Sequence, residues 1–135
     1  MNTFDLFLKE NRKERQCYYA EVCKDIKDEK GNIVKWKFTP LTTREEEEIR
    51  EEVTETVNGN LKLNMTKYIE KLITASVIYP NLYDATLQDS YNCKTPESLL
   101  KAIVNIPGEY SDLARLVQEK NGFNSLREDI EKAKN

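Results

Sequence analysis

The hydrophobic period of this chain changes at Pro40, and that change limits the folds it can adopt. Before it, Val34, Trp36 and Phe38 alternate with Lys35 and Lys37, the pattern of a strand with one covered face. The stretch QCYYAEVCK at 16–24 alternates loosely and is rich in β formers, and KDEKGN is a turn signal. Together they predict a β-hairpin over residues 16–38. A lone hairpin is marginal in water, so it must dock on other elements. Beyond Pro40, apolar residues recur at three- and four-residue spacing, the period of helices with one buried stripe. The expectation is an α+β fold, a single domain over residues 1–135. Residues 1–39 would hold a short helix plus the hairpin, and residues 40–135 a helical body.

Helix starts and stops follow from local chemistry. Thr3 caps a short helix over 3–14, with Phe4, Phe7 and Leu8 on one face. Thr42 with Glu45, or Thr43 with Glu46, forms a capping box. Ile49, Val53 and Val57 then make a narrow stripe, which Asn58-Gly59-Asn60 breaks. Residues 65–79 carry the clearest helical pattern, with a C-terminal half apolar all round, and Pro80 stops it. A small helix over 84–90 turns Leu82, Leu87 and Tyr91 inward. Thr95-Pro96-Glu97 starts another helix, and Pro107-Gly108 separates it from the next. Asn121-Gly122 closes that one in a left-handed cap, with Phe123 packing back. Ser125 and Glu128 cap a last helix with the thin stripe Leu126, Ile130 and Ala133. The expected core is Tyr68, Leu72, Ile73, Val77, Leu99, Leu100, Ile103, Leu113 and Val117.

The side-chain inventory argues against catalysis. There is no histidine, which removes the commonest general base and metal ligand. Cys17, Cys23 and Cys93 are odd in number and lack CxxC spacing, so neither a disulfide framework nor a zinc site is expected. The expectation is therefore no catalytic residue, no cofactor and no metal. No apolar run approaches the ~20 residues of a membrane helix, and the first residues lack the pattern of a secretory signal. Net charge is −3, with residues 1–39 at +2, 40–63 at −4 and 64–135 at −1. Lys9, Arg12, Lys13 and Arg15 are interleaved with Glu10 and Glu14, so no basic face for nucleic acid emerges. The stretch SVIYPNLYDATLQDSY at 76–91 reads as a helix, a corner and a second helix, with Asp84 and Asp89 as cap or surface residues. For a protein partner, the candidate residues are the half-exposed stripes Ile49, Val53, Val57 and Leu126, Ile130. Strand addition at the hairpin edge is a second route.

Four segments, MNTFDLFLKEN, VKWKFTPLTTREEEEIR, KYIEKLITASVIYPNLYDATLQDSY and PGEYSDLARLVQEKNGF, closely resemble the XkdN-like phage tail assembly chaperones of Gram-positive phages and prophages. Residues 54–64 match no motif of that family. The resemblance implies a non-enzymatic adaptor in the host cytoplasm, absent from the finished virion. It would keep the tape measure protein soluble while tail tube protein subunits polymerise around it. Self-association is left open. The residues alone leave two other readings: a small cytoplasmic regulatory or nucleic-acid-binding adaptor, which needs a basic face, and an enzyme using one of the three cysteines.

Overall fold

Trp36 and Phe38 decide where the sheet sits. They lie on strand β2 (Lys35–Phe38), and both side chains are fully covered. Strand β1 (Tyr18–Glu21) pairs antiparallel with β2, placing Tyr18 opposite Phe38 and Ala20 opposite Trp36. The Tyr18 and Phe38 rings stack at 5.0 Å. The two strands are joined by a turn in which the Asp28 carboxylate accepts from the backbone N–H groups of Lys30 and Asn32, with Gly31 at φ +85°. The predicted hairpin is thus present, with shorter strands than the alternation suggested. The computed structural model describes residues 2–123.

Helix α1 (Thr43–Glu52) opens on the predicted capping box, Thr42 with Glu45. Two short strands follow, β3 (Thr54–Val57) and β4 (Asn60–Leu63), paired antiparallel across Asn58-Gly59. Both turn residues have positive φ, 52° and 80°, which suits a two-residue turn whose twist matches the strands. Helix α2 (Met65–Ser76) starts on an Asn64 cap and ends where the Ser76 hydroxyl donates to the Leu72 carbonyl at 2.8 Å. The chain passes without a loop into β5 (Val77–Tyr79), which pairs antiparallel with β2 and makes the sheet three-stranded, in the order β1-β2-β5. Lys37 faces Tyr79 and Phe38 faces Val77, so Ile78 is the extra residue of a bulge. Helices α3 (Ala85–Ser90), α4 (Pro96–Ile103) and α5 (Pro107–Lys120) complete the body.

The α+β class holds, and the helical body over residues 40–135 also carries strands that the sequence reading did not mark. Strands β3, β4 and β5 lie inside it. The N-terminal helix over 3–14 is replaced by two 3-10 turns, Thr3–Phe7 and Lys9–Asn11, capped by Asn2 rather than Thr3. Phe4 and Phe7 stay 68% and 80% exposed, so no packed face stabilises a longer helix there. Val77 is only partly buried because it belongs to the edge strand. The other eight expected core residues are buried, joined by Trp36, Phe38, Leu41, Ile49, Val53, Leu82 and Val104. The last helix, with Leu126 and Ile130, lies outside the described residues.

Two polar devices lock the layers. Glu46 is buried between α1 and α2, where it accepts from the Tyr68 hydroxyl at 2.5 Å and from Arg50 at 2.6 and 2.7 Å. Burial pushes the Glu46 carboxyl upward, but the Tyr68 and Arg50 hydrogen bonds and the Arg50 charge outweigh it and hold the group below its ordinary value. Burial, then the Glu46 contact, pushes Tyr68 up to about 12. The second device is Arg15. It donates to the Leu41 carbonyl at 2.6 Å, the Lys120 carbonyl at 3.3 Å and the Asn121 side chain at 3.2 Å. The same Asn121 oxygen accepts from the Leu41 N–H at 2.8 Å.

Leu72→Ala should destabilise the fold by about 2–5 kcal/mol in urea unfolding, because the side chain is fully enclosed. Tyr68→Phe should cost about 1.5–3 kcal/mol, the range for a hydrogen bond to a charged group. Wild-type stability should also fall as pH drops below the ordinary carboxylate range. The unfolded chain takes up the Glu46 proton at the ordinary value and the folded chain only lower, so the contribution is complete above that value and lost toward the lowered one. Urea midpoints measured across acidic pH check the sign.

Candidate functional site

Surface chemistry points to contact rather than catalysis. The groove of ≈ 290 Å³ beside the sheet is lined by Ile26, Val34, Trp36, Tyr79, Pro80, Leu87, Tyr91 and Ile103. Every one of these side chains is apolar or aromatic. Trp36 forms the buried floor, and Tyr79 and Tyr91 stand 57% and 43% exposed at the rim. The position of each follows from a local device. The bulge at Ile78 sets Tyr79 against Lys37 on the sheet edge. Asp84 caps α3 by accepting from the Leu87 N–H at 2.8 Å. Asn92, at φ 58°, closes the same helix, with its N–H and that of Cys93 donating back to the carbonyls of Asp89 and Gln88. Leu87 and Tyr91 are thereby fixed one helical turn apart. The stretch 76–91 is therefore a strand, a corner and a helix, and it builds one wall of an open apolar groove.

The proposed stripe Ile49, Val53, Val57 is not a stripe. Ile49 and Val53 are 8% and 2% exposed and belong to the core. Val57 lies on β3, past the end of α1, and is 42% exposed. The helix stops at Glu52, so the spacing of four spans a helix end and a strand. Only Val57 of the three is available to a partner, and Leu126 and Ile130 fall outside the described residues. Exposed apolar residues that the sequence reading passed over are Leu61 at 79%, on the opposite face of the β3–β4 hairpin from Val57, Met65 at 59% at the start of α2, and Leu6 at 58% near Phe4 and Phe7. Alternation in TETV and NLKL about Asn58-Gly59 was the available signal for Leu61.

Titratable groups with shifted values are structural. Tyr18 is pushed up to about 12 by burial, against the lowering charge of Arg15, and its hydroxyl has no hydrogen-bond partner among the described residues. Cys23, Asp25 and Glu109 place donor atoms within 4.8 Å of one another. Burial first, then Glu109 and Asp25, pushes the Cys23 thiol up to about 11. That thiol points at the Ile103 carbonyl, 3.7 Å away, and Glu109 accepts from the Lys24 N–H at 3.1 Å. The group thus ties the end of β1 to α4 and α5 with a protonated thiol, the opposite of an activated nucleophile. No helix of the described residues is long and apolar enough to cross a membrane.

The profile of the phage XkdN-like tail assembly chaperones matches residues 4–134. The chain belongs to that family. It is 29% identical over 142 residues to the XkdN protein of the phage-like element PBSX of Bacillus subtilis, covering 99% of this chain and 96% of that one. It is 28% identical to YqbN of the same organism, over 83% of this chain and 78% of the relative. A crystal structure of a YqbN protein shares the fold, with a TM-score of 0.80 at 21% identity over 92% of this chain and 99% of that one. The match runs through residues 54–64, where the sequence motifs gave no resemblance.

The burial pattern predicts opposite outcomes for two neighbouring substitutions. Val53→Asp should unfold or destabilise the chaperone by several kcal/mol, since it puts an unpaired charge in the core. Val57→Asp, on the exposed strand, should leave the melting temperature nearly unchanged. Thermal melts of the two variants side by side check this.

Proposed function

We propose that this tail assembly chaperone binds an apolar-faced helical segment of its phage's tape measure protein and keeps that protein soluble. Family membership over residues 4–134 carries the reading. The open apolar groove between the sheet and helices α3 and α4 supports it. An amphipathic helix docks by laying alternate turns into such a groove, and the tyrosines at the rim offer both apolar area and a hydroxyl to a partly wet contact. Handover follows when tail tube protein subunits take over the tape measure surface. The chaperone then stays behind in the host cytoplasm, outside the virion. The role asks for binding and release and needs no catalytic group. Nucleic acid is a poor partner, since net charge is −3 and α1 presents carboxylates.

Co-expression with the cognate tape measure protein tests this. The soluble tape measure fraction should rise with the chaperone present, and the complex should survive high salt, because buried apolar area is not screened. Tyr79→Asp and Tyr91→Asp, both on the exposed rim, should abolish that gain while leaving the chaperone's own melt in place. Equal tape measure solubility with and without the chaperone would sink the reading.

A further inference from the structure

Where the turn after β1 meets the end of α4 and the start of α5, three side-chain donors converge. The Cys23 thiol and one carboxylate oxygen each from Asp25 and Glu109 lie within 4.8 Å of one another. Local devices set all three. The Ile26 N–H donates to the Cys23 carbonyl at 3.2 Å, and this closes the turn that carries Cys23 and Asp25 two residues apart. Glu109 stands in the first turn of α5, and its Oε2 accepts from the Lys24 N–H at 3.1 Å. That bond leaves Oε1 over. Among the described residues, neither carboxylate makes an ion pair. Cys23 is 1% exposed, and its thiol donates to the Ile103 carbonyl at 3.7 Å. Ile103 is the last residue of α4, and the residue four further on is Pro107, which has no N–H to offer that carbonyl. A fourth oxygen therefore faces the same thiol. No spacing marks this set in the sequence, because it is drawn from three separate segments.

We propose that Cys23, Asp25 and Glu109 bind one zinc ion, with the Ile103 carbonyl at hand for the fourth position. The donor chemistry selects the ion. Magnesium and calcium take oxygen donors, whereas zinc takes a thiolate together with carboxylates. Donors held at ~2.0–2.3 Å from one zinc ion stand ~3.3–3.7 Å apart. The three therefore need to draw together by at most ~1.5 Å, and Asp25, on the exposed side, has room to do so. The thiol gives its proton to solvent as the ion enters, and the ion neutralises two carboxylates that have no other cation. With protein donors in every position the site is structural. It clamps the end of β1 to α4 and α5. It lies apart from the tyrosine-rimmed groove and does not depend on tape measure binding.

The test uses the full chain with Cys17→Ser and Cys93→Ser, which leaves Cys23 as its one thiol. After chelator treatment, zinc is titrated calorimetrically, and cadmium is followed by its ultraviolet thiolate charge-transfer band. One zinc ion should bind per chain and raise the melting temperature, since the ion binds the folded form. Cadmium should develop the band at the same one-to-one ratio. Glu109→Gln retains an acceptor for the Lys24 N–H, and Asp25→Asn changes an exposed side chain, so both should melt near the parent without metal. Each should weaken zinc at least ~10-fold, a loss that even an outer-sphere partner causes. Cys23→Ala should abolish the band. Melts without metal separate a lost ligand from a damaged fold. The absence of one-to-one zinc binding overturns the proposal. So does cadmium uptake without the band, or unchanged zinc affinity in Asp25→Asn or Glu109→Gln.

Discussion

The direct passage from α2 into β5 is the constraint on which the fold depends. Leu72 and Ile73 sit at the centre of the helical layer, and four residues later the same chain is the edge of the sheet. No loop absorbs a mismatch between the two layers. The Ser76 hydroxyl turns back onto the Leu72 carbonyl, its own carbonyl accepts from the Thr39 N–H at 2.8 Å, and Val77 then meets Phe38. Helix and sheet are therefore set at one angle by a few hydrogen bonds. The other helices take their places from α2: α1 through Tyr68 and Glu46, and α4 through the Lys71–Glu97 and Lys101–Glu70 ion pairs. The groove lies where β5 gives way to Pro80 and α3 brings Leu87 to the same wall as Tyr79.

Much of this was legible in the sequence, and the gaps have physical reasons. Caps and breakers act within a few residues, so Thr42, Asp84, Thr95 and Asn121-Gly122 could be read in place. The Trp36 and Phe38 face was equally plain, since one buried side forces strict alternation. The β3–β4 hairpin was lost because a spacing of four fits both periods. Ile49, Val53 and Val57 suit a helical stripe, but four is also twice the strand period. The Asn58-Gly59 turn should have decided between them. Strand β5 was harder, as three apolar residues continuing an apolar helix become a strand only when β2 offers an edge. The groove was not legible at all. Its walls come from residues 26 to 103, and local pattern does not tell an inward aromatic from a rim one.

The site chemistry follows the same division. An inventory without histidine argues against the usual acid–base catalysis, and that reading uses counting alone. Finding the contact surface needs burial, which is a property of the assembled chain. Two residues offered as surface turned out to be core, while Tyr91, read as turned inward, stands with Tyr79 at the mouth of the groove. A chaperone must leave apolar side chains outside, and in a sequence those look the same as the ones inside.

The Arg15 latch has a consequence for the order of events in a newly made chain. It joins residues 105 and 106 apart in sequence. Closing so long a loop is entropically slow, and the acceptors at Lys120 and Asn121 exist only once α5 has formed and wound its end. Its bond to the Leu41 carbonyl, only 26 residues away, needs no part of α5. The segment around Arg15 leaves the ribosome first and completes its hydrogen bonds last, so the finished latch reports that the far end of the molecule has folded.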